Sequence, residues 1–493
     1  MIAPLMVDPA DRPKPESANP PPGFWIAGQH VRPSSDETFE SIDPTTGQSL
    51  TRLAVAVDAD IDAAVGAAAK AFASPEWSGL DPSRRERLLL QVAEVIEANA
   101  EELATLDSLE MGGTLPLTRW MVDHTVKVFR HFAGWPSKIY GQTAPAVSDQ
   151  LQYTLRQPLG VIAGIAGWNG PVLQMGYKIA PALATGNTIV VKPSEQSSLS
   201  MLRLAELLAA TDLQPGVFNV VTGPGRTTGD SLMTHAGVSK VSFTGSTAVG
   251  RHILESSSSD FRHVTLELGG KSPIVVFADA DLEAAATTCA TAFCANSGQA
   301  CVAGTRIYVE QTARERFTEL LVAAVDDYAR GLGDPFHPGT RMGPIALRGH
   351  YDEVRDFVQT ARRDGRLITG AEPVEGPGLF VPPTLVTDID ENSPVVQQEI
   401  FGPVAALGSF RTFDEAITLA NDTIYASPRR SGSATPARPC TPPQHSPQAR
   451  SGSTAAASKA TARCRSAAGS WGIDGRGSAW AGGQPQRVAS LAA

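Results

Sequence analysis

The chain has 493 residues with a formal charge of −10, 42% of them hydrophobic and 19% charged, enough apolar material for two or three domains of about 150 residues. Its acidity, with no basic cluster before residue 426, argues against nucleic acid or an anionic membrane surface as partner. No run of about 18 apolar residues could cross a bilayer, and five cysteines without CxxC spacing predict neither a disulfide framework nor a metal site.

Residues 1–23, "MIAPLMVDPADRPKPESANPPPG", lack a basic start followed by a sustained apolar stretch. They read as a flexible, proline-rich lead, and the default location is the cytoplasm. Beyond short β-like pieces around "FWIAGQHV", the segment "DADIDAAVGAAAKAF" predicts a helix capped by Asp60, and "DPSRRERLLLQVAEVIEANAEEL" a second with Asp81 as cap and Pro82 at its first position. "DQLQYTLRQPLGV" alternates like an exposed strand, and an arm over about 140–158 is expected to contact a partner subunit. The apolar runs at 160–167, 187–193, 216–223 and 240–245 alternate with helical patterns, which predicts βαβ units around a buried parallel sheet. A second βα-rich region spans about 270–425, with strand candidates "SPIVVF" and "RIYVE". The expected fold class is α/β: a Rossmann-like domain over 24–269 and a second α/β domain over 270–425.

Such a sheet usually holds a nucleotide at the carboxyl ends of its strands. The Gly-x-Gly-x-x-Gly fingerprint is absent, because "VTGPGRTTG" spaces its glycines differently. In "FTGSTAVG", however, Gly245, Ser246, Thr247 and Gly250 stand where a strand meets a helix, and free N–H groups there attract an anion. A plain tight turn is the alternative. "VVKPSE" sets Lys192 and Glu195 at another strand end, where a solvated charge pair is the ordinary explanation. Cys301 in "NSGQACVAGTR" lies in a turn of small residues, whereas Cys289 and Cys294 fall inside an apolar helix and read as small buried hydrophobes. Glu267 in "ELGGKSP" and Asn169 in "GWNGP" occupy strand ends, with a salt-bridged carboxylate and a helix cap as their ordinary explanations.

Together, "GWNGP", "KPSE", "FTGS", "ELGGKSP", "GQAC" and "EIFGP" occur in an order and at intervals that resemble the aldehyde dehydrogenase superfamily from about residue 24 to Tyr425. The resemblance implies NAD(P)-dependent oxidation of an aldehyde to a carboxylic acid. It implies Cys301 as nucleophile and Asn169, with the Cys301 amide, as oxyanion hole. Glu267 becomes the general base for the deacylating water, its pKa raised by burial beside an apolar ring, and Lys178 a proton relay. For the cofactor it implies Ser246 on the pyrophosphate, Lys192 and Glu195 on the adenine ribose, and Glu399 and Phe401 on the nicotinamide ribose. Ile165, Trp168, Gly225, Gly245, Thr247, Gly250 and Leu268 complete that set. A carboxylate at 195 repels a 2′-phosphate, so NAD is favoured over NADP. The family often has proline where Gly167 stands and an aromatic where Gly170 stands. A looser asparagine loop or a wider channel is the expected consequence. Homodimers or homotetramers are the family assembly.

After Tyr425 the composition turns to Ala, Ser, Gly, Pro and Arg, and residues 426–493 carry +8, from eight Arg and one Lys against one Asp. Such a segment reads as an unstructured basic tail in place of the family's C-terminal elements. A shifted reading frame near codon 426 is the expected origin, and a genuine basic extension the alternative. Assembly and activity are therefore both in question. A cofactor-binding protein without catalysis and a cofactor-independent thiol hydrolase are the competing functions.

Overall fold

Val161–Ile165 is buried at every position, as a strand covered on both faces must be. The computed structural model describes residues 3–145, 151–371, 374 and 376–425, together with the backbone of the short strands Trp471–Ile473 and Ala479–Ala481. The remainder of the basic tail, and with it the expectation of disorder and of a shifted frame, lies outside the described residues.

Side chains along the buried strands alternate between two cores, since successive residues of a strand point to opposite faces. Ile162, Ile189 and Val191 meet the helices Pro82–Ala98, Ala100–Met111, Leu115–Ala133 and Pro171–Ala184. Val161, Ala163, Ile165 and Val190 meet Asp58–Ala73 on the opposite face. The sheet has seven strands, in the order His263–Glu267, Lys240–Thr244, Val161–Ile165, Thr188–Lys192, Phe218–Val220, Phe24–Ile26, Gln29–Val31. The first five run parallel and the last two are antiparallel. Chain order reverses at Val161–Ile165, whose neighbours are the strand that follows it directly and the one that comes three strands after it.

A second sheet of five strands follows: Pro273–Val276, Arg306–Glu310, Val404–Phe410, Thr384–Thr387 and an antiparallel Arg366–Thr369. Leu282–Cys294 and Arg314–Arg330 cover one face, and Arg348–Asp364 covers the other. Both architectures are the α/β class expected.

Local details differ from the sequence reading in three places. Val57, not Asp60, precedes the first long helix; Asp60 sits in its first turn and accepts the Val57 N–H at 3.0 Å and the Ser34 N–H at 3.0 Å. The helix capped by Asp81 stops at Ala98, and a second one, Ala100–Met111, begins after Asn99. Residues 3–23, expected to be a flexible lead, are docked. Leu5 exchanges backbone hydrogen bonds with Leu332 and Asp334, and buried Arg12 pairs with Asp43 at 2.6 Å and with Asp334. Two carboxylates distant in sequence supply the anchor, which no local pattern announces. The expected arm is a short hairpin, Thr143–Ala144 with Gln152–Tyr153, and residues 146–150 lie outside the described residues.

Candidate active site

The reversal of strand order opens a crevice at the carboxyl ends of the parallel strands, and the expected motifs converge there. The asparagine loop follows Val161–Ile165, and the segments beginning at Pro193, Gly245 and Leu268 follow the strands on either side. Asn169 is half-buried. Its amide Nδ2 donates to the Gln299 carbonyl at 2.9 Å, and its Oδ1 accepts from Gln174 Nε2 at 2.6 Å. The loop before the cysteine is therefore tied to the loop after the first buried strand.

Cys301 is exposed, while Cys289 and Cys294 are buried in Leu282–Cys294, as expected of structural thiols. The loop preceding Cys301 stores backbone strain. Asn296 and Ser297 have φ of 51° and 55°, a left-handed conformation that costs a non-glycine residue of order 1–3 kcal/mol. Gln299 holds that conformation: its amide donates to the Asn296 and Pro344 carbonyls and accepts the Ala346 N–H at 2.8 Å. At Gly298 (φ 73°) a Cβ would stand 2.2 Å from the Gly402 carbonyl, so only glycine lets the cysteine loop lie against "EIFGP". Protein packed round the thiol, then the carboxylates of Glu399 and Glu267, push its pKa above the ordinary value.

Glu267 also departs from expectation. It ends the edge strand of the first sheet and is exposed, not buried. An edge strand has a neighbour on one side only, so its terminal side chain can face open solvent. Lys178 is buried, donates to Thr244 Oγ1 at 2.8 Å, and has its pKa lowered to about 7 by burial, with Glu267 acting in the opposite direction.

The cofactor candidates divide into two groups. On the first sheet, Lys192 is 1% exposed and lies 3.5 Å from Glu195, whose side chain is partly open, so the pair is not the solvated one of the ordinary explanation. Ser246 caps Thr247–Ser257 by accepting the Val249 N–H at 3.3 Å, and the Thr247 hydroxyl is buried without a protein partner among the described residues. Gly245 leaves no room for a Cβ, which would meet the Phe243 ring at 2.5 Å. A Cβ on Gly250 would strike Leu268 at 2.5 Å, so the helix start packs directly on "ELGG". Gly225 faces open space, and Ile165 is buried at its strand end. A helix start with bare glycines, a capping hydroxyl and an unsatisfied threonine at the switch point fits a dinucleotide phosphate.

On the second sheet, Glu399 accepts the Gly270 N–H at 3.1 Å, and its Oε2 lies 1.7 Å from where a Cβ on Gly269 would be, so a side chain at 269 would push the carboxylate from its place. Phe401 has φ of 56° and sets its ring edge-on to Trp168 at 5.4 Å. Trp168 and Phe401 thus join the two motifs that carry them. His350, a residue the sequence did not single out, supports this contact: its Nε2 donates to the Phe401 carbonyl at 2.8 Å and its ring lies 5.9 Å from Trp168. Gln174 and Gln299 were likewise missed. A lone glutamine or histidine in a helix or loop carries no signal until its partners are brought to it.

The model of the aldehyde dehydrogenase family matches residues 30–428. The chain belongs to the aldehyde dehydrogenase family. It is 41% identical over 408 residues to hydroxyisobutyraldehyde dehydrogenase of Mycolicibacterium austroafricanum, covering 82% of this chain and 80% of that one. Against aldehyde dehydrogenase 1 of Tanacetum cinerariifolium the identity is 40% over 405 residues, covering 82% and 81%. Among solved aldehyde dehydrogenases, the Bacillus cereus enzyme in complex with NAD+ superposes with a TM-score of 0.80 at 37% identity, over 81% of this chain and 82% of that one. The P. syringae indole-3-acetaldehyde dehydrogenase, solved as a mutant with NAD+ and IAA, gives 0.79 at 36%, over 81% and 82%. No helix among the described residues is long and apolar enough to cross a membrane.

Proposed function

We propose that this chain oxidises an aldehyde to a carboxylic acid with NAD, through a thioester on Cys301. The observation that carries the reading is the hydrogen bond from Asn169 to Gln299, two residues before the cysteine, because it puts an amide donor and a nucleophile on one hydrogen-bonded unit.

Cys301 adds to the aldehyde carbon, and the negative charge that develops on oxygen is met by the second N–H of Asn169 Nδ2 and by the backbone N–H of Cys301; losing one such donor typically costs about 3–4 kcal/mol. When bound, NAD supplies the hydride acceptor. Ser246, Thr247 and the first turn of Thr247–Ser257 would hold its pyrophosphate, Lys192 and Glu195 the adenine ribose, and Glu399 and Phe401 the nicotinamide ribose. Ile165, Trp168, Gly225 and Leu268 form the surrounding wall. Glu267 takes the proton of the water that attacks the thioester; its exposure keeps it accessible to that water and free to swing toward the thiol. Lys178, neutral above about pH 7 and bonded to Thr244, can pass protons from the buried side.

Residues 24–269 serve as the cofactor domain and 270–425 as the catalytic one. The protein is a cytoplasmic homodimer or homotetramer, a reading supported by the hairpin arm, where Leu151, Tyr153 and Leu155 are 77%, 58% and 68% exposed. A screen of NADH formation over aliphatic, aromatic and semialdehyde substrates tests the function. Aldehyde-dependent NADH that disappears in Cys301→Ala supports it. NAD binding without NADH would leave a silent cofactor-binding protein, and ester cleavage without NAD would leave a thiol hydrolase.

A further inference from the structure

Two glycines, Gly167 and Gly170, flank the tryptophan and asparagine of the oxyanion loop, and bare glycine leaves a loop free to move. The structure nevertheless holds Asn169 from two directions. Gln174, one turn into Pro171–Ala184, accepts the Gly167 N–H through Oε1 at 3.0 Å and donates from Nε2 to Asn169 Oδ1 at 2.6 Å. Asn169 Nδ2 then donates to the Gln299 carbonyl at 2.9 Å.

The chain of bonds starts and ends on backbone groups whose polarity is fixed: an N–H can only donate and a carbonyl can only accept. Gln174 must therefore turn its oxygen to Gly167 and its nitrogen to Asn169. Asn169 must turn its oxygen to Gln174 and its nitrogen to the cysteine loop. Neither amide can flip without setting two like groups against each other. The lock needs an N–H at position 167, which proline would not have. A Cβ at Gly167 would lie 3.5 Å from both Gln174 Oε1 and Asn169 Oδ1, an ordinary contact, so what the lock needs at 167 is the N–H and not the missing side chain.

We propose that Gln174 is a positioning residue that fixes the orientation of the Asn169 amide, with Gly167 as its obligatory backbone donor. The proposal rests on the reading of Asn169 as an oxyanion donor. Gln174 does not touch the reacting atoms. It decides which face of Asn169 they meet, and it makes unnecessary the loop rigidity that a proline would supply.

The test needs no turnover. Without NAD, an aldehyde adds to the Cys301 thiol: the S–C bond forms, the carbonyl π bond opens, and the proton ends on oxygen as a thiohemiacetal. Hexanal should therefore protect Cys301 from iodoacetamide, read by mass spectrometry of the whole chain. Gln174→Met, close in length, should raise the protecting hexanal concentration roughly tenfold, the scale of one lost hydrogen bond, with alkylation in the absence of hexanal unchanged. Gln174→Glu should raise it further, since it still accepts from Gly167 but sets an oxygen against Asn169 Oδ1. Combining Gly167→Pro with Gln174→Met should cost less than the two single changes together, because proline replaces the lock.

Unaltered protection in both Gln174 variants overturns the proposal, as does strict additivity in the double variant. A fall in the alkylation rate without hexanal would assign Gln174 to the shape of the cysteine loop and also overturn it. Failure of hexanal to protect the unsubstituted chain removes the oxyanion reading, and this inference with it.

Discussion

Each half of the molecule has a buried lysine whose pKa falls to about 7, and the two are treated differently. Lys178, in the helix behind the asparagine loop, and Lys271, in the turn after "ELGG", are 5% and 3% exposed, and burial lowers both pKa values to about 7. Lys178 donates to Thr244, with Glu267 as the nearby carboxylate. Lys271 has no hydrogen-bond partner among the described residues; Arg306 further disfavours its charge, and Glu399 favours it. Desolvation is the largest cause of both shifts, and the partners decide what the amine can do. The first lysine has a donor path toward the site. The second sits beside an apolar edge that is less well covered: Phe413, Ile417 and Ile424 are 53%, 44% and 77% exposed, and the Thr423 hydroxyl has no partner among the described residues. The same edge is held to the body by Arg306, which donates to the carbonyls of Lys271, Leu419 and Ala420.

The largest effect expected is on the carboxylate that faces Lys178. Glu267→Gln should slow turnover by roughly 10²-fold or more, the scale of a lost general base, and mass spectrometry should find the acyl group held on Cys301. Full turnover with no adduct would remove Glu267 from that role.

Acid–base behaviour separates the lysines next. A lysine with a depressed pKa is neutral and able to accept a proton above about pH 7, and becomes an ammonium below it. The Cys301 thiol, shifted upward, ionises later still. Turnover should therefore climb as pH rises through neutrality and keep climbing beyond it. Lys178→Met should erase the lower inflection, while Lys271→Met should keep it. Identical profiles for the two variants would break the distinction. In stability the sign runs the same way: the unfolded chain holds these protons up to about pH 10, so the cost of burying Lys178 is full below about pH 7 and is relieved as pH rises from about 7 towards 10.

Smaller shifts test the first sheet against the second. Glu195→Thr should raise the relative use of NADP a few-fold by removing a charge that repels a 2′-phosphate, measured as the ratio of kcat/KM for the two cofactors. An unaltered ratio would show that Glu195 does not face the ribose. Lys271→Met should stabilise the second region by about 1 kcal/mol, since an unpaired buried donor gives way to an apolar chain of similar length. Denaturant unfolding followed near the five-stranded sheet measures it, and a loss of stability would mean that the Glu399 interaction outweighs desolvation.

Much of this was legible from the chain. The runs at 161–165 and 188–192 are buried at every position because both faces of those strands are covered, and a buried parallel strand cannot hide that pattern. Asp81 was readable as a cap because a helix start exposes N–H groups that a nearby carboxylate satisfies locally. Glycines in these motifs were readable because glycine is forced where backbones approach, as at Gly298 against Gly402.

Tertiary structure alone decided the rest. Whether Glu267 is buried depends on its strand being the edge of the sheet, which strand order determines and local pattern does not. The N-terminal segment reads as a loose lead until Asp43 and Asp334 converge on Arg12. The two glycines of the asparagine loop predict looseness until Gln174 is folded back onto Gly167 and Asn169. A residue's own neighbours in sequence fix its backbone preferences and its place in a periodic pattern. The partner that satisfies a polar group hundreds of residues away is fixed only when the chain has closed upon itself.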